Sequence, residues 1–342
     1  MKALYFTEHG ELDVLQYGDV PDPRPGPDDV VVRVKACALN YLDIWVRRGW
    51  PGLKLAMPHW GGADVSGEVA EVGENVSSWR PGQVVVCDPG VNIREDKYTQ
   101  QGEDSLSPGY KILGEDRPGG FAEHIVVPAR NLKALPEEWE FPQAAAPLLV
   151  ALTAWRMLKH RAQLKAGESV LILGAGGGLN SIAIQISKLL GARVLVVASN
   201  AYKAERARAL GADAVFDRSQ VDWSREVYKF TAKRGVDVVV DNVGQATLPF
   251  SLRAVARGGR IVIAGNTSSP QSQIDTRFIF AKQISLIGST MGTHQDFRDL
   301  TGLLWAGKLK PVIDRVMPLS EGKEAYSIME RGKQFGKIVL TP

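Results

Sequence analysis

Cysteine is scarce in this 342-residue chain, and the two that occur, Cys37 and Cys87, lie far apart in the sequence. Two cysteines exclude a disulfide framework and any metal site built only from thiolates. The five histidines are also dispersed, and none stands at ligand spacing from another histidine or a cysteine. The sequence therefore predicts no metal site, and reduced thiols fit the cytoplasm.

A strong charge of one sign and long apolar runs are absent as well. The 41 Lys and Arg nearly balance the 38 Asp and Glu, and the basic residues are scattered rather than arranged in a stripe. No apolar run reaches the roughly 18 residues that indicate a membrane-spanning helix. The N-terminus also lacks a charged leader followed by an apolar segment. These absences argue against nucleic acid and membrane partners and predict a cytoplasmic protein.

Hydrophobic residues are abundant, at 44% of the chain, which is enough for more than one core. Residues 1–135 predict a β-rich domain, because β-branched runs are separated by Pro and Gly. Over residues 136–290 the apolar spacing becomes helical and strands alternate with helices, which predicts a doubly wound parallel sheet. Residues 291–342 are expected to return to the first domain. The β-branched runs are 30–36, 67–73, 83–88 and 121–128.

A glycine-rich turn follows the first strand of the second domain. Residues 168–180 read ESVLILGAGGGLN, a strand that leads through glycines into an amphipathic helix. Such a turn lets the backbone approach a pyrophosphate, whose charge the helix N-terminus stabilises. The strict GxGxxG spacing is not met, so an ordinary strand-to-helix turn is the alternative. The residues expected to bind nucleotide here are Gly174, Gly176, Gly177, Gly178 and Leu179.

The end of the second strand indicates which dinucleotide binds. An Asp or Glu there would bind the ribose 2′-hydroxyl of NAD, whereas this chain has Ser199 and Asn200. Both can donate hydrogen bonds to a 2′-phosphate, and Lys203 adds positive charge. Arg218, just after the third strand, is a second candidate for this pocket. The pattern favours NADP(H), and the alternative for Lys203 and Arg218 is a solvated surface charge.

Five longer motifs extend over almost the whole chain: ALNYLDIWVRRG at 38–49, GGADVSGEVAEVGENV at 61–76, PLLVALTAW at 147–155, DNVG at 241–244 and GKIVL at 336–340. Together they resemble the medium-chain dehydrogenase/reductase superfamily, which includes zinc alcohol dehydrogenases and zinc-free quinone oxidoreductases. The resemblance implies an α/β protein with a GroES-like catalytic domain and a Rossmann domain. It also implies hydride transfer between NADP(H) and a small apolar ketone, aldehyde, quinone or alcohol.

Zinc-dependent members of this family hold the catalytic metal with a Cys, a His and a Cys or Asp. The corresponding positions look like Asn40, Ala63 and Leu149, which offer one weak oxygen between them. A lobe of the first domain holds the structural zinc of such members with four cysteines. The resemblance therefore implies a protein without zinc, whose lobe is kept folded by packing and hydrogen bonds. The lobe positions look like Ile93, Asp96, Thr99 and Ser107.

Without a metal, another group must stabilise the charge that forms on the substrate oxygen. The amide of Asn40 is the first candidate, and Tyr41 is a candidate hydrogen-bond or proton donor. Water held by Asp43 or Asp64 is a further possibility, and a buried Asp64 with a raised pKa could act as an acid. For Asp43 a purely structural function, fixing the loop through backbone amides, is the alternative.

The resemblance also implies further contacts with the cofactor, for which strand-end turn chemistry is the alternative. Two other functions stay open, an enoyl reductase acting on activated C=C bonds and a non-catalytic NADP-binding redox sensor. The stretch 284–289 could be an exposed sheet edge that pairs with a second subunit, so a homodimer or homotetramer is expected. The further cofactor-binding candidates are Thr153, Asn242, Gly265, Asn266, Gly288, Ser289 and Lys337.

Overall fold

The computed structural model describes residues 1–342, which form two compact units. The first unit begins at Met1–Leu149 and regains the chain at Thr293–Trp305 and Pro311–Pro342. The second unit contains Val150–Gly292 and Ala306–Lys310. The chain thus returns to the first unit at Thr293 and leaves it again for Ala306–Lys310.

The boundary between the units lies at residue 149, whereas the sequence predicted it near residue 135. The difference arises because the short helix Phe141–Ala145 packs on strands of the first unit. The Ser66 hydroxyl donates a hydrogen bond of 2.7 Å to the Phe141 carbonyl. Ala145 also shares a small buried cluster with Ala36 and Ala38. A helical sequence pattern alone does not reveal on which unit such a helix packs.

The first unit is rich in β-structure, as the sequence predicted. Its strands are β1 (Lys2–Tyr5), β2 (Gln16–Asp19), β3 (Asp29–Ala38), β4 (Asp64–Val72), β5 (Val84–Cys87), β6 (Gly90–Asn92), β7 (Tyr110–Ile112), β8 (His124–Pro128), β9 (Leu132–Ala134) and, after the chain returns, β16 (Ile313–Pro318) and β17 (Lys337–Thr341). Seven of them form one sheet in the order β16-β17-β3-β4-β5-β9, and β8 pairs with β3. Two smaller sheets pair β1 with β2 and β6 with β7.

Strand β3 lies at the centre of this unit, and seven of its ten residues are buried. Val30 and Val32 are fully buried in the core, whereas Arg33 is exposed. The strand pairs with β4, β8 and β17, all antiparallel. Val339 of β17 lies opposite Ala38, so the end of the chain runs beside the residues that follow β3.

Six helices accompany these strands, and α4 continues into the second unit. They are α1 (Tyr41–Arg48), α2 (Lys97–Gln100), α3 (Phe141–Ala145), α4 (Leu148–Trp155), α10 (His294–Trp305) and α11 (Gly322–Glu330). Two residues separate the end of β3 from the start of α1, which places the first turn of the helix close to the end of that strand. The lobe predicted from the sequence contains β6, α2 and β7.

The second unit has the predicted parallel sheet. Its strands are β10 (Ser169–Leu173), β11 (Arg193–Ala198), β12 (Ala214–Asp217), β13 (Val236–Val240), β14 (Val255–Ile263) and β15 (Ser285–Gly288). They lie in the order β12-β11-β10-β13-β14-β15, and every neighbouring pair is parallel. This order reverses direction at β10, where dinucleotides bind in sheets of this type. Strand β15, within the stretch predicted as a sheet edge, is the outermost strand.

The helices of the second unit connect successive strands of the sheet. They are α5 (Gly178–Leu189), α6 (Ala201–Ala209), α7 (Trp223–Phe230), α8 (Leu248–Ala254) and α9 (Thr276–Lys282). The buried core beneath them is dominated by β-branched and leucine side chains of the strands. Among all the helices, none combines the length and the apolar character needed to traverse a bilayer.

Candidate active site

The turn between β3 and α1 is held by the carboxylate of Asp43. Its Oδ2 accepts a hydrogen bond of 2.7 Å from the backbone N–H of Asn40, and its Oδ1 accepts one of 2.8 Å from the backbone N–H of Gly62. Burial raises the pKa of Asp43 to about 7, although both backbone hydrogen bonds act to lower it. Both oxygens are occupied by backbone amides, which matches the structural alternative for Asp43.

Asn40, Asp64 and Lys337 form a closed triangle of side-chain hydrogen bonds, which we call the Asn40 network. The Lys337 ammonium donates to Asn40 Oδ1 at 2.5 Å and to Asp64 Oδ2 at 2.8 Å. The Asn40 amide nitrogen donates to the same Asp64 oxygen at 2.9 Å. Asp64 is fully buried, and Lys337 and Asn40 are 3% and 5% exposed. Opposite charges therefore meet directly in the protein interior.

The network fixes the orientation of the Asn40 amide, because an ammonium group can only donate hydrogen bonds. The carbonyl oxygen of Asn40 must face Lys337, so the amide nitrogen faces Asp64. The second N–H of that nitrogen lies 3.3 Å from the carbonyl of Ala38. Both amide hydrogens thus have partners, and donation to a substrate, as predicted for Asn40, requires that one of them be released.

The positions that resemble catalytic zinc ligands converge on Asp64. Asn40 donates to Asp64 Oδ2, and the backbone N–H of Leu149 donates to Asp64 Oδ1 at 2.5 Å. Ala63 is buried and carries only a methyl group. No group of three or more His, Cys, Asp or Glu side chains is arranged so that it could hold a metal ion. The side chains at these positions do not fit a zinc ion, since an amide, a methyl group and a leucine cannot complete a tetrahedral ligand set.

Tyr41 is the first residue of α1 and is half-buried. Its ring packs edge-on against that of Trp45, with 5.3 Å between the ring centroids. The hydroxyl makes no hydrogen bond within the protein, in contrast to the polar groups of its neighbours Asn40 and Asp43. Tyr41 therefore has the free donor that its predicted function requires.

Polar side chains at the lobe positions contact one another directly, and we call Asp96, Thr99 and Ser107 the lobe network. Asp96 accepts hydrogen bonds from the backbone N–H groups of Tyr98 and Thr99, at 2.8 and 3.2 Å. Its second oxygen accepts one of 2.7 Å from the Ser107 hydroxyl. The Thr99 hydroxyl accepts a hydrogen bond from the Asp96 N–H, whereas Ile93 is 63% exposed. Hydrogen bonds thus join three of the positions at which, by resemblance, zinc-containing members have cysteines.

The glycine-rich turn joins β10 to α5 with the backbone geometry that glycine permits. Gly174 has a positive φ of 97°, which favours glycine. A Cβ on Gly176 would lie 2.7 Å from the Lys203 ammonium, so this lysine reaches the turn. Helix α5 starts after Gly177 without any side-chain cap. Its first amides can therefore bind an anion, which fits a dinucleotide pyrophosphate. Leu179 lies in this first helical turn.

Asn180 is a residue whose contribution the sequence did not reveal. Its amide nitrogen donates to the carbonyls of Leu173 and Gly174, both at 2.7 Å. Its oxygen accepts from the amide of Asn242 at 3.3 Å, and the oxygen of Asn242 accepts from the Ala264 N–H at 3.1 Å. These contacts link the glycine-rich turn to the ends of β13 and β14. The available signal was a polar residue in the first turn of an otherwise apolar buried helix.

The residues after β11 present hydrogen-bond donors rather than a carboxylate. Asn200 Oδ1 caps α6 by accepting from the Lys203 N–H at 2.9 Å, which leaves its amide nitrogen available. Ser199 is half-buried, and Arg218 is exposed. One carboxylate does stand on the adjacent strand, where Asp217 pairs with Ala198. The Oδ1 of Asp217 accepts two hydrogen bonds from Ser219.

Most of the residues predicted to hold the nicotinamide end lie at strand ends in the second unit, and Thr153 lies in helix α4. The Ser289 N–H donates to the Ile263 carbonyl at 2.9 Å, and the buried Ser289 hydroxyl has no hydrogen-bond partner. Such an orphaned hydroxyl fits a polar ligand group. Thr153 is buried and its hydroxyl lies 4.0 Å from the Met291 sulfur. Gly265 and Asn266 follow β14, and Gly288 ends β15.

Two family models match this chain. The alcohol dehydrogenase GroES-like domain covers residues 26–137, and the zinc-binding dehydrogenase model covers residues 178–306. The quinone oxidoreductase of Homo sapiens is 29% identical, over 99% of this chain and 97% of its own. The NAD-dependent alcohol dehydrogenase of Saccharolobus solfataricus is 31% identical over 100% of both chains.

Solved structures resemble this chain over almost its entire length. The crystal structure of an NAD-dependent alcohol dehydrogenase matches with a TM-score of 0.96 at 42% identity and covers 100% of both chains. The 2-octenoyl-CoA carboxylase reductase CinF, solved with NADP and 2-octenoyl-CoA, matches with a TM-score of 0.90 at 30% identity. That match covers 99% of this chain and 87% of the other. The likeness therefore includes both units.

Proposed function

This chain belongs to the medium-chain dehydrogenase/reductase superfamily of oxidoreductases, and we propose that it is a zinc-independent member that uses NADP(H). Its substrate is a small apolar ketone, aldehyde or quinone, or the corresponding alcohol. The Asn40 network carries the proposal, because the amide of Asn40 stands at a position where zinc-dependent members have a metal ligand, and the Lys337 ammonium lies against it. Those groups do not bind zinc, so the protein itself must stabilise the reacting oxygen.

The first unit supplies the polar groups that serve the reacting oxygen. When bound, NADPH supplies the hydride, and negative charge forms on the substrate oxygen. The Asn40 N–H that faces Ala38 has the weaker of its two hydrogen bonds, at 3.3 Å, and is the one available for transfer to this oxygen. The free hydroxyl of Tyr41, or water near Asp64, supplies the proton. Asp43 holds Asn40 in place through the backbone.

The second unit supplies the nucleotide contacts. Lys203 lies against Gly176 and stands near Ser199 and Asn200, where it can meet a 2′-phosphate. This observation favours NADP(H) over NAD(H), although two similar proteins are named as NAD-dependent. The amides at the start of α5 bind the pyrophosphate. The orphaned Ser289 hydroxyl binds the nicotinamide carboxamide.

Quinones, enones and activated aryl ketones are the favoured substrates, because they need less electrophilic assistance than simple ketones. A second candidate function is enoyl reduction at an activated C=C bond, which the likeness to a 2-octenoyl-CoA carboxylase reductase favours. The unpaired outer edge of β15 supports a further proposal, in which a second copy pairs there to form a homodimer or homotetramer. Two buried free thiols fit a cytoplasmic location.

The test is NADPH oxidation by the metal-stripped protein across a panel of quinones, enones, ketones and aldehydes, with identification of each product. We expect turnover with quinones or activated ketones and a preference for NADPH over NADH. The variant Lys203→Ala should raise the KM for NADPH about tenfold and leave that for NADH nearly unchanged, because only NADPH carries the 2′-phosphate. Lys229→Ala, on the exposed face of α7, is the matched control.

Three results would oppose the proposal. A stoichiometric metal that restores activity would contradict zinc independence. Tight binding of NADH with indifference to NADPH would contradict the cofactor preference. Binding of NADPH without turnover of any substrate would favour a redox sensor, and products reduced only at C=C would identify an enoyl reductase.

A further inference from the structure

We propose that Lys337 is a positioning residue for the reaction and not a ligand of the nucleotide. Its ammonium fixes the Asn40 amide and neutralises Asp64, so it supplies within the protein the positive charge that a metal would otherwise bring. This inference rests on the proposed function. It corrects the expectation, based on resemblance, that Lys337 belongs with the cofactor-binding residues.

The register of the sheet places Lys337 opposite Asn40. Val339 pairs with Ala38 in the antiparallel β17–β3 ladder, and the Leu39 N–H donates to the Ile338 carbonyl at 2.9 Å. Counting two residues back along β17 and two forward along β3 aligns Lys337 with Asn40. The lysine side chain therefore starts beside the amide that it binds.

The residue before Lys337 must be glycine for this strand to enter the sheet. Gly336 has a φ of 101°, and a Cβ there would lie 2.3 Å from the Val312 carbonyl oxygen. The Lys337 N–H in turn donates to that carbonyl at 2.8 Å. The Gly-Lys pair of the GKIVL motif thus places the Lys337 ammonium against Asn40 and Asp64. A lysine that served only a mobile phosphate would not need this constraint.

The burial of the ammonium supports action through Asn40 and Asp64. The Lys337 side chain is 4% exposed, and that of Asp64 is fully buried. Two of the three ammonium hydrogens are directed at these side chains. In a buried pair of this kind each charge depends on the other. Without the ammonium, the Asn40 amide would be free to rotate and Asp64 would lose its counter-charge.

The test separates the two functions of Lys337 by measuring nucleotide affinity and turnover independently. For Lys337→Met we expect kcat to fall about 100-fold, as when an oriented donor is lost, while the Kd for NADPH changes by less than about twofold. In an Asn40→Ala background the same change should lower kcat by less than about threefold, because residues that act as a unit are not additive. Lys333→Met, an exposed position near the same strand, is the control.

Lys337→Arg keeps the test valid if the methionine variant does not fold. Arginine retains the charge but presents it in a different geometry, so we expect normal NADPH affinity and a kcat lowered about tenfold. A nucleotide ligand would behave in the opposite way, because arginine binds phosphate well.

The outcomes distinguish a positioning function of Lys337 from a nucleotide-binding function. A rise of tenfold or more in the Kd for NADPH with kcat retained would overturn the inference while leaving the proposed function intact. An unchanged kcat in Lys337→Met would overturn it as well. Absence of turnover in the native protein, measured first, would overturn the proposed function and the inference together.

Discussion

Two regions of the first unit contain the positions that, by resemblance, correspond to zinc ligands of metal-dependent family members, and they differ in what occupies them. The Asn40 network is buried and contains a full opposite-charge pair, Lys337 with Asp64. In the lobe network Ser107 is buried and Asp96 and Thr99 are half-buried, and the Asp96 carboxylate is satisfied by backbone amides and a hydroxyl. The difference teaches that burial sets the composition of each network. The fully buried Asp64 carboxylate is paired with an ammonium, whereas the half-buried Asp96 carboxylate is satisfied by neutral donors.

The largest expected effect is a difference in the free energy of unfolding between two variants, in which the aspartate of each network is replaced by alanine. Asp64→Ala leaves the Lys337 ammonium buried without its counter-charge, which should lower the free energy of unfolding by about 3–5 kcal/mol. Asp96→Ala removes a helix cap at the surface, which should cost about 1 kcal/mol. Urea denaturation of both variants, followed by tryptophan fluorescence, measures the two losses.

A double variant tests whether the cost in the Asn40 network comes from the unpaired charge. Asp64→Ala combined with Lys337→Met removes both charges, and such apolar replacement often restores stability. We expect the double variant to be more stable than Asp64→Ala alone. Equal losses for Asp64→Ala and Asp96→Ala, or no recovery in the double variant, would break the comparison between the networks.

The second prediction concerns Asp43, whose carboxylate accepts a hydrogen bond from the backbone N–H of Asn40. In Asp43→Asn one oxygen becomes an NH₂ group that faces a backbone N–H of either Asn40 or Gly62. Leaving that buried donor unsatisfied should cost about 2 kcal/mol. The same change in Asp222 should cost far less, because both backbone N–H groups there use a single oxygen that asparagine retains.

Thermal unfolding of both variants checks this prediction. The Tm should be measured at pH values below and above the raised pKa of Asp43. The folded-state pKa of about 7 lies above the usual value because burial disfavours the charged form. Between the unfolded and the folded pKa of Asp43, the folded state therefore binds more protons than the unfolded state. The free energy of unfolding falls as the pH rises from about 4 to 7. Asp43→Asn should flatten this slope. A Tm for Asp43→Asn equal to that of Asp222→Asn would contradict the structural function of Asp43.

The sequence singled out the residues of both networks, but it did not reveal that Lys337 contacts Asn40 and Asp64. Strand and helix patterns predicted the β-rich domain and the parallel sheet, since they depend on local periodicity. The bond between Lys337 and Asn40 joins residues 297 positions apart. It depends on the pairing of β17 with β3, which no local pattern encodes. Conversely, Asp96 and Thr99 lie three residues apart, so their hydrogen bonds follow from short-range turn chemistry.

The smallest effect is expected at the base of the lobe, where a titratable pair joins it to α10. The His294 Nδ1 lies 2.6 Å from Asp88 Oδ2, and the His294 N–H donates to Asp104. Burial lowers the pKa of His294, and the charge of Arg130 lowers it further. The hydrogen bond and charge of Asp88, together with the charge of Asp104, outweigh these effects and raise the pKa.

A histidine with a raised folded-state pKa stabilises the fold fully below its unfolded pKa, and this contribution is lost as the pH rises through the folded value. His294→Asn keeps a neutral donor near Asp88 without the titration. The native protein should therefore exceed this variant in unfolding free energy by about 1 kcal/mol at pH 6, and the difference should vanish by about pH 9. Urea midpoints at both pH values measure it. A difference that stays constant between the two pH values would show that the charge of His294 does not stabilise the fold.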